Sequence, residues 1–373
     1  MTVEDTLEAL VRIDSVSMRS NNEIIEYLEN RTNKLGFTTE RINYFDSNGI
    51  EKINLIAQSH AGVDTVELAL VGHTDTVPYA KDWTSALELT RQENRLVGRG
   101  ACDTKGFIAA ALTAVDSLDF SKLQKPLALI FTADEEVGCY GAKKVVDAKP
   151  FTVRNAIVGE PTSLRPMRAG KGYCLAEVKV TGKEGHSAYP AVGASAIQAA
   201  ARLIGQIERI ARELENSRHE GFDPPYTTIN VGLIQGGSAK NIIPGICNFT
   251  LEWRPVPEQN PELVLDRIRE SCAAEEDSNP NIKVEILPLR IDSGMETPAN
   301  APIVEFLEDL TGTPAGTIAF GTEAPQLIEL GAHAVVLGPG DIQVAHRTGE
   351  YVPVEDLNHC VKILSGAIAR FCC

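Results

Sequence analysis

The 373-residue chain contains no apolar run approaching the ~18 residues that a membrane-spanning helix needs, so no helical span is expected. No Cys-x-x-C pair occurs among its eight cysteines, and in a long chain without a secretory leader these read as reduced thiols rather than a disulfide scaffold. Gly-x-Ser-x-Gly and His-Glu-x-x-His are both absent, which leaves serine-hydrolase and single-zinc protease readings without support. Gly98-x-Gly100 lacks the third glycine of a dinucleotide fingerprint and reads as a turn. Positive charge is in deficit: 35 Lys and Arg stand against 51 Asp and Glu, a net −16, whereas a nucleic-acid surface needs clustered Lys and Arg. The opening residues carry Glu4, Asp5 and Glu8 but no basic or apolar leader segment, so the expected location is the cytoplasm. Repeats and low-complexity tracts are missing. What an acidic chain can do well is hold metal cations.

What is present exceeds one hydrophobic core, since cores stop growing at ~250–300 residues, so two domains are expected. Helical periodicity runs from Asn22 to Leu35 and stops at Gly36. Short apolar segments of the kind buried on both faces follow, at Leu68–Val71, Leu127–Phe131 and Ala156–Val158, with a helix-like Lys105–Leu118 between the first two. From Tyr173 the texture changes to half-buried alternation at Leu175–Val180, Thr228–Ile234, Phe249–Trp253 and Ile282–Leu287, punctuated by helical Ala194–Leu214 and Glu262–Ala274. That order fits a small sheet with helices on one face. Helix-like Ile303–Leu310 and Ala324–Leu330, strand-like Ala334–Leu337 and a last helix Val354–Phe371 return to the first texture. The fold class is therefore α/β: a mixed sheet flanked by helices over 1–171 and 283–373, with an α+β domain inserted at 172–282.

Five segments concentrate the unusual chemistry. Three follow the apolar strands directly: Gly72–Pro78 with His73 and Asp75, the run Asp134, Glu135, Glu136, and Gly159–Thr162 with Glu160. The others are Gly100–Gly106 with Asp103, leading into a helix, and Ala345–Tyr351 with His346 and Glu350. Ligands of open α/β sheets bind beyond the carboxyl ends of strands. If the five segments meet at one edge, they assemble two His, one Asp and two or three Glu. Mixed imidazole and carboxylate ligation suits Zn²⁺ or Co²⁺. Two dications ~3.5–4 Å apart are tolerated when a carboxylate bridges them. Neighbouring residues of an extended loop point opposite ways, so these residues alone leave open whether Glu135 or Glu136 faces the ions.

The same residues resemble the co-catalytic zinc hydrolases, whose members include deacetylases, desuccinylases, aminoacylases and glutamate-releasing carboxypeptidases. The resemblance covers essentially the whole chain. It is closest to the acetylornithine deacetylase branch, through Gly159–Pro166, Phe320–Pro325 and Leu337–Gly340 followed by Ala345 and His346. That resemblance implies a zinc-hydrolase catalytic domain and hydrolysis of acetylornithine to ornithine and acetate in arginine synthesis. The rivals are an aminoacylase, desuccinylase or dipeptidase and, from another class, a non-catalytic metal- or amino-acid-binding protein. It implies two divalent ions, Zn²⁺ or Co²⁺: His73, Asp103 and Glu160 on one, Asp103, Glu136 and His346 on the other. Glu135 becomes the general base and acid, and its presence speaks against a mere binder. Asp75 has the right chemistry to accept the second imidazole N–H of His73. The inserted domain becomes a lid and dimerisation domain. His186, in Gly185–Pro190, then supplies the oxyanion donor, often across a homodimer interface, and Arg254 and Asn241 match substrate-binding positions. Arg254 could grip an α-carboxylate in a bidentate fork.

Glu323 is expected to approach the site just before a helix, where it either pairs with the ornithine ammonium or merely caps or charges the helix N-terminus. His60, His219, His333 and His359 read as surface or satisfied core residues. Cys102 reads as small-residue packing, and Cys372 and Cys373 as exposed, oxidation-sensitive thiols.

Overall fold

The computed structural model describes residues 1–373 and separates into two compact units, Met1–Arg168 with Thr297–Gly316 and Thr322–Cys373, and Ala169–Glu296 with Thr317–Gly321. The first unit opens with helices α1 (Val3–Val11) and α2 (Asn22–Lys34) and strands β1 (Thr38–Phe45) and β2 (Glu51–Gln58). It continues as β3 (Thr65–His73), α3 (Lys105–Asp116), β4 (Leu127–Thr132), α4 (Tyr140–Ala148) and β5 (Thr152–Val158). The second unit follows with β6 (Tyr173–Thr181), α5 (Ala196–Leu214), β7 (Thr228–Gly236), β8 (Ile246–Arg254), α6 (Leu263–Ser278) and β9 (Lys283–Asp292). The chain returns to the first unit through α7 (Pro302–Thr311), α8 (Ala324–Glu329), β10 (His333–Val336) and α9 (Val354–Cys372).

In the first unit the strand order is β1-β2-β4-β3-β5-β10. The last four run parallel, with Leu70 opposite Leu129 and Ile157, while β1 and β2 are antiparallel additions at one edge. Every residue of β4 and most of β3 are buried, because α1, α2, α3, α7 and α9 share one apolar core with the sheet while α4 and α8 pack on it outside that cluster. This explains why these strands are continuous apolar runs rather than alternating ones. The mixed character arises at the β1–β2 edge and again at the opposite edge, where Met167 pairs antiparallel with Val336 of β10.

The second unit is an antiparallel sheet in the order β7-β8-β6-β9. Here burial alternates residue by residue along β6 and β8, since only one face is covered. Cys174, Ala176, Val178 and Val180 pack with Phe249, Leu251 and Trp253 against Leu203, Ile207 and Ile210 of α5 and Val264 and Ile268 of α6. Ser195 caps α5 by accepting from the Gln198 N–H at 3.3 Å, a bond of the kind worth ~1 kcal/mol.

Two expectations change. The units divide at Ala169 and Glu296 rather than at 172 and 282, because Lys283–Asp292 pairs with Tyr173–Thr181 and belongs to the second sheet. Cys372 is buried as the last residue of α9, its Sγ 3.9 Å from the Pro126 carbonyl oxygen, and only Cys373 is exposed.

Candidate metal and catalytic site

His73 is the last residue of β3, and its imidazole is held at both nitrogens. Nδ1 lies 3.0 Å from the Asp75 backbone carbonyl oxygen, and Nε2 lies 3.0 Å from Oδ1 of Asp103. The Asp75 carboxylate stands 3.6 Å from Nδ1, too far for a good hydrogen bond, so the ring is oriented by the backbone of Asp75 rather than by its side chain. The carboxylate has another task. It accepts from Ser17 Oγ at 2.7 Å and from the backbone N–H groups of Glu135 and Glu136 at 3.1 and 3.3 Å.

Those last two bonds set the directions of the two glutamates. Just before them, Asp134 sits at φ 55°, its carboxylate bound by Lys52 Nζ and Tyr44 Oη, each at 2.9 Å. Glu136 joins Asp103 and His346 in a cluster whose ligand atoms lie within 4.8 Å of one another; His73, Asp103 and Glu160 form a second such cluster. Asp103 belongs to both. Its Oδ1 faces His73 and its Oδ2 faces His346 Nε2 at 3.2 Å, while Glu136 Oε2 lies 3.0 Å from the same Nε2. Glu135 belongs to neither; its Oε1 accepts from Cys139 Sγ at 3.3 Å. Geometry therefore separates two residues that local pattern could not.

Glu160 is delivered by a close approach. A Cβ on Gly159 would stand 2.2 Å from the Phe107 ring of α3, so only glycine lets the chain leave β5 at this angle. Asp103 precedes α3 and is joined to Thr104 by a cis peptide bond.

The electrostatics are those of anions crowded out of water. Burial pushes the Glu160 carboxyl well above its usual range and Glu135 up to about 8, and the surrounding carboxylates add to both. Asp103 behaves oppositely: burial opposes its ionisation, but hydrogen bonds from His346 and His73 outweigh it and hold the carboxyl below its usual range. His346, half-exposed, is raised to about 10 by Asp103 and Glu136. Glu136 Oε1 is buried without a hydrogen-bond partner. A site that binds protons this tightly, offers imidazole and carboxylate atoms at ligand spacing and leaves an oxygen unsatisfied fits divalent cations chemically.

Glu323 stands at the N-cap position of α8 but makes no capping bond. It is 1% exposed; Oε2 accepts from Thr132 Oγ1 at 2.8 Å, Oε1 has no partner, and burial raises the carboxyl to about 7. The side chain therefore does not cap α8, and of the structural alternative only its charge at the helix N-terminus remains.

Three expected residues lie in the second unit. His186 is exposed on a two-strand ribbon that pairs it with Ile242, next to Asn241. Its Nδ1 accepts from the Ala188 N–H at 3.1 Å, so the neutral ring carries its proton on Nε2. Arg254, at the end of β8, stacks 3.7 Å above the Tyr173 ring and donates through Nε to Glu252 at 2.7 Å. Ser17, Tyr44, Lys52, Cys139 and Glu350 were not anticipated in these roles. Glu350 is no ligand: its carboxylate is consumed by the loop that carries Asp103. Only Lys52 and Asn54 in the otherwise apolar 52–57 segment offered a hint.

A model of peptidase family M20/M25/M40 matches residues 69–370. The chain is 53% identical over 372 residues to an acetylornithine deacetylase from Myxococcus xanthus, covering 98% of this chain and 97% of that one. Among solved structures it is similar to a tripeptidase from Staphylococcus aureus, with a TM-score of 0.76 at 22% identity over 99% of this chain and 98% of the other. A dinuclear metal binding peptidase of the M20 family from Bacillus subtilis gives 0.69 at 14% identity, covering 99% and 98%.

Proposed function

The chain belongs to peptidase family M20/M25/M40, and on that premise we propose that it hydrolyses the amide of Nα-acetyl-L-ornithine to L-ornithine and acetate. The observation that carries the chemistry is Asp103, shared by two clusters of three donors, with Glu135 beside them and outside both. His73, Asp103 and Glu160 would hold one ion and Asp103, Glu136 and His346 the other, a donor set suited to Zn²⁺ or Co²⁺. Such ions polarise an amide carbonyl and bring the pKa of water from 15.7 down to ~7.

The protein's own residues do the rest. Glu135 takes the proton of the attacking water and passes it to the leaving α-nitrogen, so the water oxygen joins the acyl carbon as the C–N bond breaks. His186 donates its Nε2–H to the developing oxyanion, Arg254 takes the substrate α-carboxylate, Asn241 adds a polar contact, and Glu323 pairs with the side-chain ammonium. The second unit acts as a lid and as the interface of a homodimer. The Nε2 proton supports the donor role, since a ring with Nδ1 already accepting is preset to donate from its other nitrogen.

The test is a panel of initial rates on acetylornithine, acetylmethionine, succinyl-diaminopimelate and dipeptides, after chelation and stepwise return of Zn²⁺ or Co²⁺ with metal counted per chain. Acetylornithine should lead by kcat/KM and activity should rise with metal. A desuccinylase or dipeptidase preference would overturn the substrate, and binding without turnover in metal-replete protein would overturn the reaction.

A further inference from the structure

Glu350 is fully buried, and all of its acceptor capacity points into one loop. Oε1 accepts the backbone N–H groups of Cys102 and Asp103, both at 2.9 Å. Oε2 accepts the N–H of Gly100 at 3.1 Å and an N–H of the Arg99 guanidinium. Backbone bonds reinforce the seam, with the Gly98 N–H on the Glu350 carbonyl at 3.0 Å and Tyr351 pairing with Val97. Arg99 is itself fixed, its backbone N–H on the Ala86 carbonyl at 2.7 Å and its guanidinium over the Trp83 ring at 5.3 Å. Gly100, at φ 77°, turns the loop around the carboxylate, and any Cβ there would meet Lys105 and Thr76 at 2.9 Å.

The placement matters because of what hangs from each side. One side is the backbone of Asp103, the residue common to both donor clusters. The other is the segment that presents His346, four residues before Glu350 and held at φ 60°, an unfavourable conformation for a non-glycine residue that needs support from its surroundings. A single carboxylate thus spans the two loops whose side chains meet at the 3.2 Å approach of His346 Nε2 to Asp103 Oδ2.

We propose that Glu350 is a positioning residue that sets the two-ion geometry by tying the Asp103 backbone to the His346 loop, and that the bonds to backbone N–H groups, more than the ion pair with Arg99, carry this effect. Because Asp103 is shared, loosening its backbone disturbs both ion sites together, unlike the loss of an ordinary ligand, which disturbs one. Outer-shell partners of this kind commonly change metal affinity 10–100-fold.

The inference rests on the two-ion reading of the site, and the experiment separates the two. Wild type, Glu350→Asp, Glu350→Gln and Arg99→Lys are freed of metal, checked for folding by circular dichroism, and titrated with Co²⁺, reading ions per chain by equilibrium dialysis and the visible absorption bands. Glu350→Asp keeps the charge but withdraws the carboxylate by one methylene, so it carries the test where Glu350→Gln does not fold. Both binding steps in Glu350→Asp should weaken ~10-fold or more and the one-ion and two-ion spectra should both change, while Arg99→Lys stays within about 3-fold of wild type. Unchanged isotherms and spectra in folded Glu350→Asp, a change at one site alone, or an equal loss in Arg99→Lys would each overturn the proposal. A wild-type chain that binds no Co²⁺ would instead overturn the two-ion reading.

Discussion

The two units place their candidate chemistry in opposite surroundings. In the first, His73, Asp103 and Glu160 are at most 5% exposed, and the loops that carry Glu135, Glu136 and Asp103 are tied down by the buried carboxylates of Asp75, Asp134 and Glu350. In the second, His186 and Asn241 sit exposed on a short ribbon. Ligands of a dication must be held within a few tenths of an ångström, which burial and saturated hydrogen bonding provide. A donor to a transient oxyanion needs only to arrive. Substitutions of the cluster residues of the first unit should therefore register in metal content, whereas those of Glu135, which lies outside both clusters, and of the second unit should register in turnover.

The largest break in that contrast is Asp103→Ala. Removing the shared carboxylate takes a ligand from both clusters at once, so bound metal should fall from two ions towards none and activity should vanish. Two tightly held ions in this variant would show that the bridge lies elsewhere. Glu135→Gln comes next: metal count and substrate affinity should persist while kcat drops by ~10²–10⁴. Turnover near wild type would move the proton relay to another group.

His186→Ala sharpens the comparison from the other side. Its kcat should fall by ~10²–10³ with metal content unchanged. If the histidine serves a partner subunit, mixing this variant with Glu135→Gln should recover activity through hybrid dimers. No recovery despite demonstrated subunit exchange would place His186 in its own chain's site.

How much was readable in advance follows the same division between local and distant causes. Four candidate metal-binding residues, His73, Asp103, Glu136 and Glu160, stood out because each lies just beyond an apolar strand or at a helix entrance, whereas His346 has no such local context and the division into two sets came from the family resemblance. The second sheet was legible from its alternation, but its end was not, since Leu287 and Leu289 are exposed and Pro288 interrupts the run, obscuring the strand that reaches Asp292. Least legible were the supports. Glu350 meets Cys102 across 248 positions and Tyr44 meets Asp134 across 90, and no local periodicity encodes such pairs. The role of Asp75 was only partly legible for a related reason: spacing placed it beside His73, where its carboxylate stands 3.6 Å from Nδ1, but only the fold shows that the same carboxylate also accepts from the Glu135 backbone.

Crowded acids also predict a pH response confined to the first unit. Glu135 moves from 4.5 up to about 8 and Glu323 from 4.5 to about 7, so the folded metal-free protein binds these protons more tightly than the unfolded chain. Their stabilising effect is complete below pH ~4.5 and is lost as pH rises through 7 to 8. His346, raised from 6.5 to about 10, acts in the same sense at higher pH, and Asp103 acts oppositely only in acid. Chelated protein should therefore melt at lower temperature at pH 8.5 than at pH 5.5. With Zn²⁺ the trend should reverse, since ligands must lose protons to bind metal. A chelated protein that gains stability across this range would contradict the assignment.

The smallest effect expected is the most informative about substrate choice. Glu323 is buried with one oxygen bound by Thr132 and the other lacking a partner, an arrangement that an ornithine ammonium would complete and a neutral side chain would not. The same carboxylate would repel an acyl amino acid bearing an extra acidic group, which adds selection by exclusion. Glu323→Gln preserves size and the Thr132 bond while removing the charge. It should lower kcat/KM for acetylornithine about 5-fold more than for acetylmethionine, the ratio expected for losing roughly 1 kcal/mol of charge pairing. Equal losses on both substrates, or a shift in melting temperature alone, would make Glu323 a structural acid of the first unit and leave recognition of the ornithine side chain to other residues.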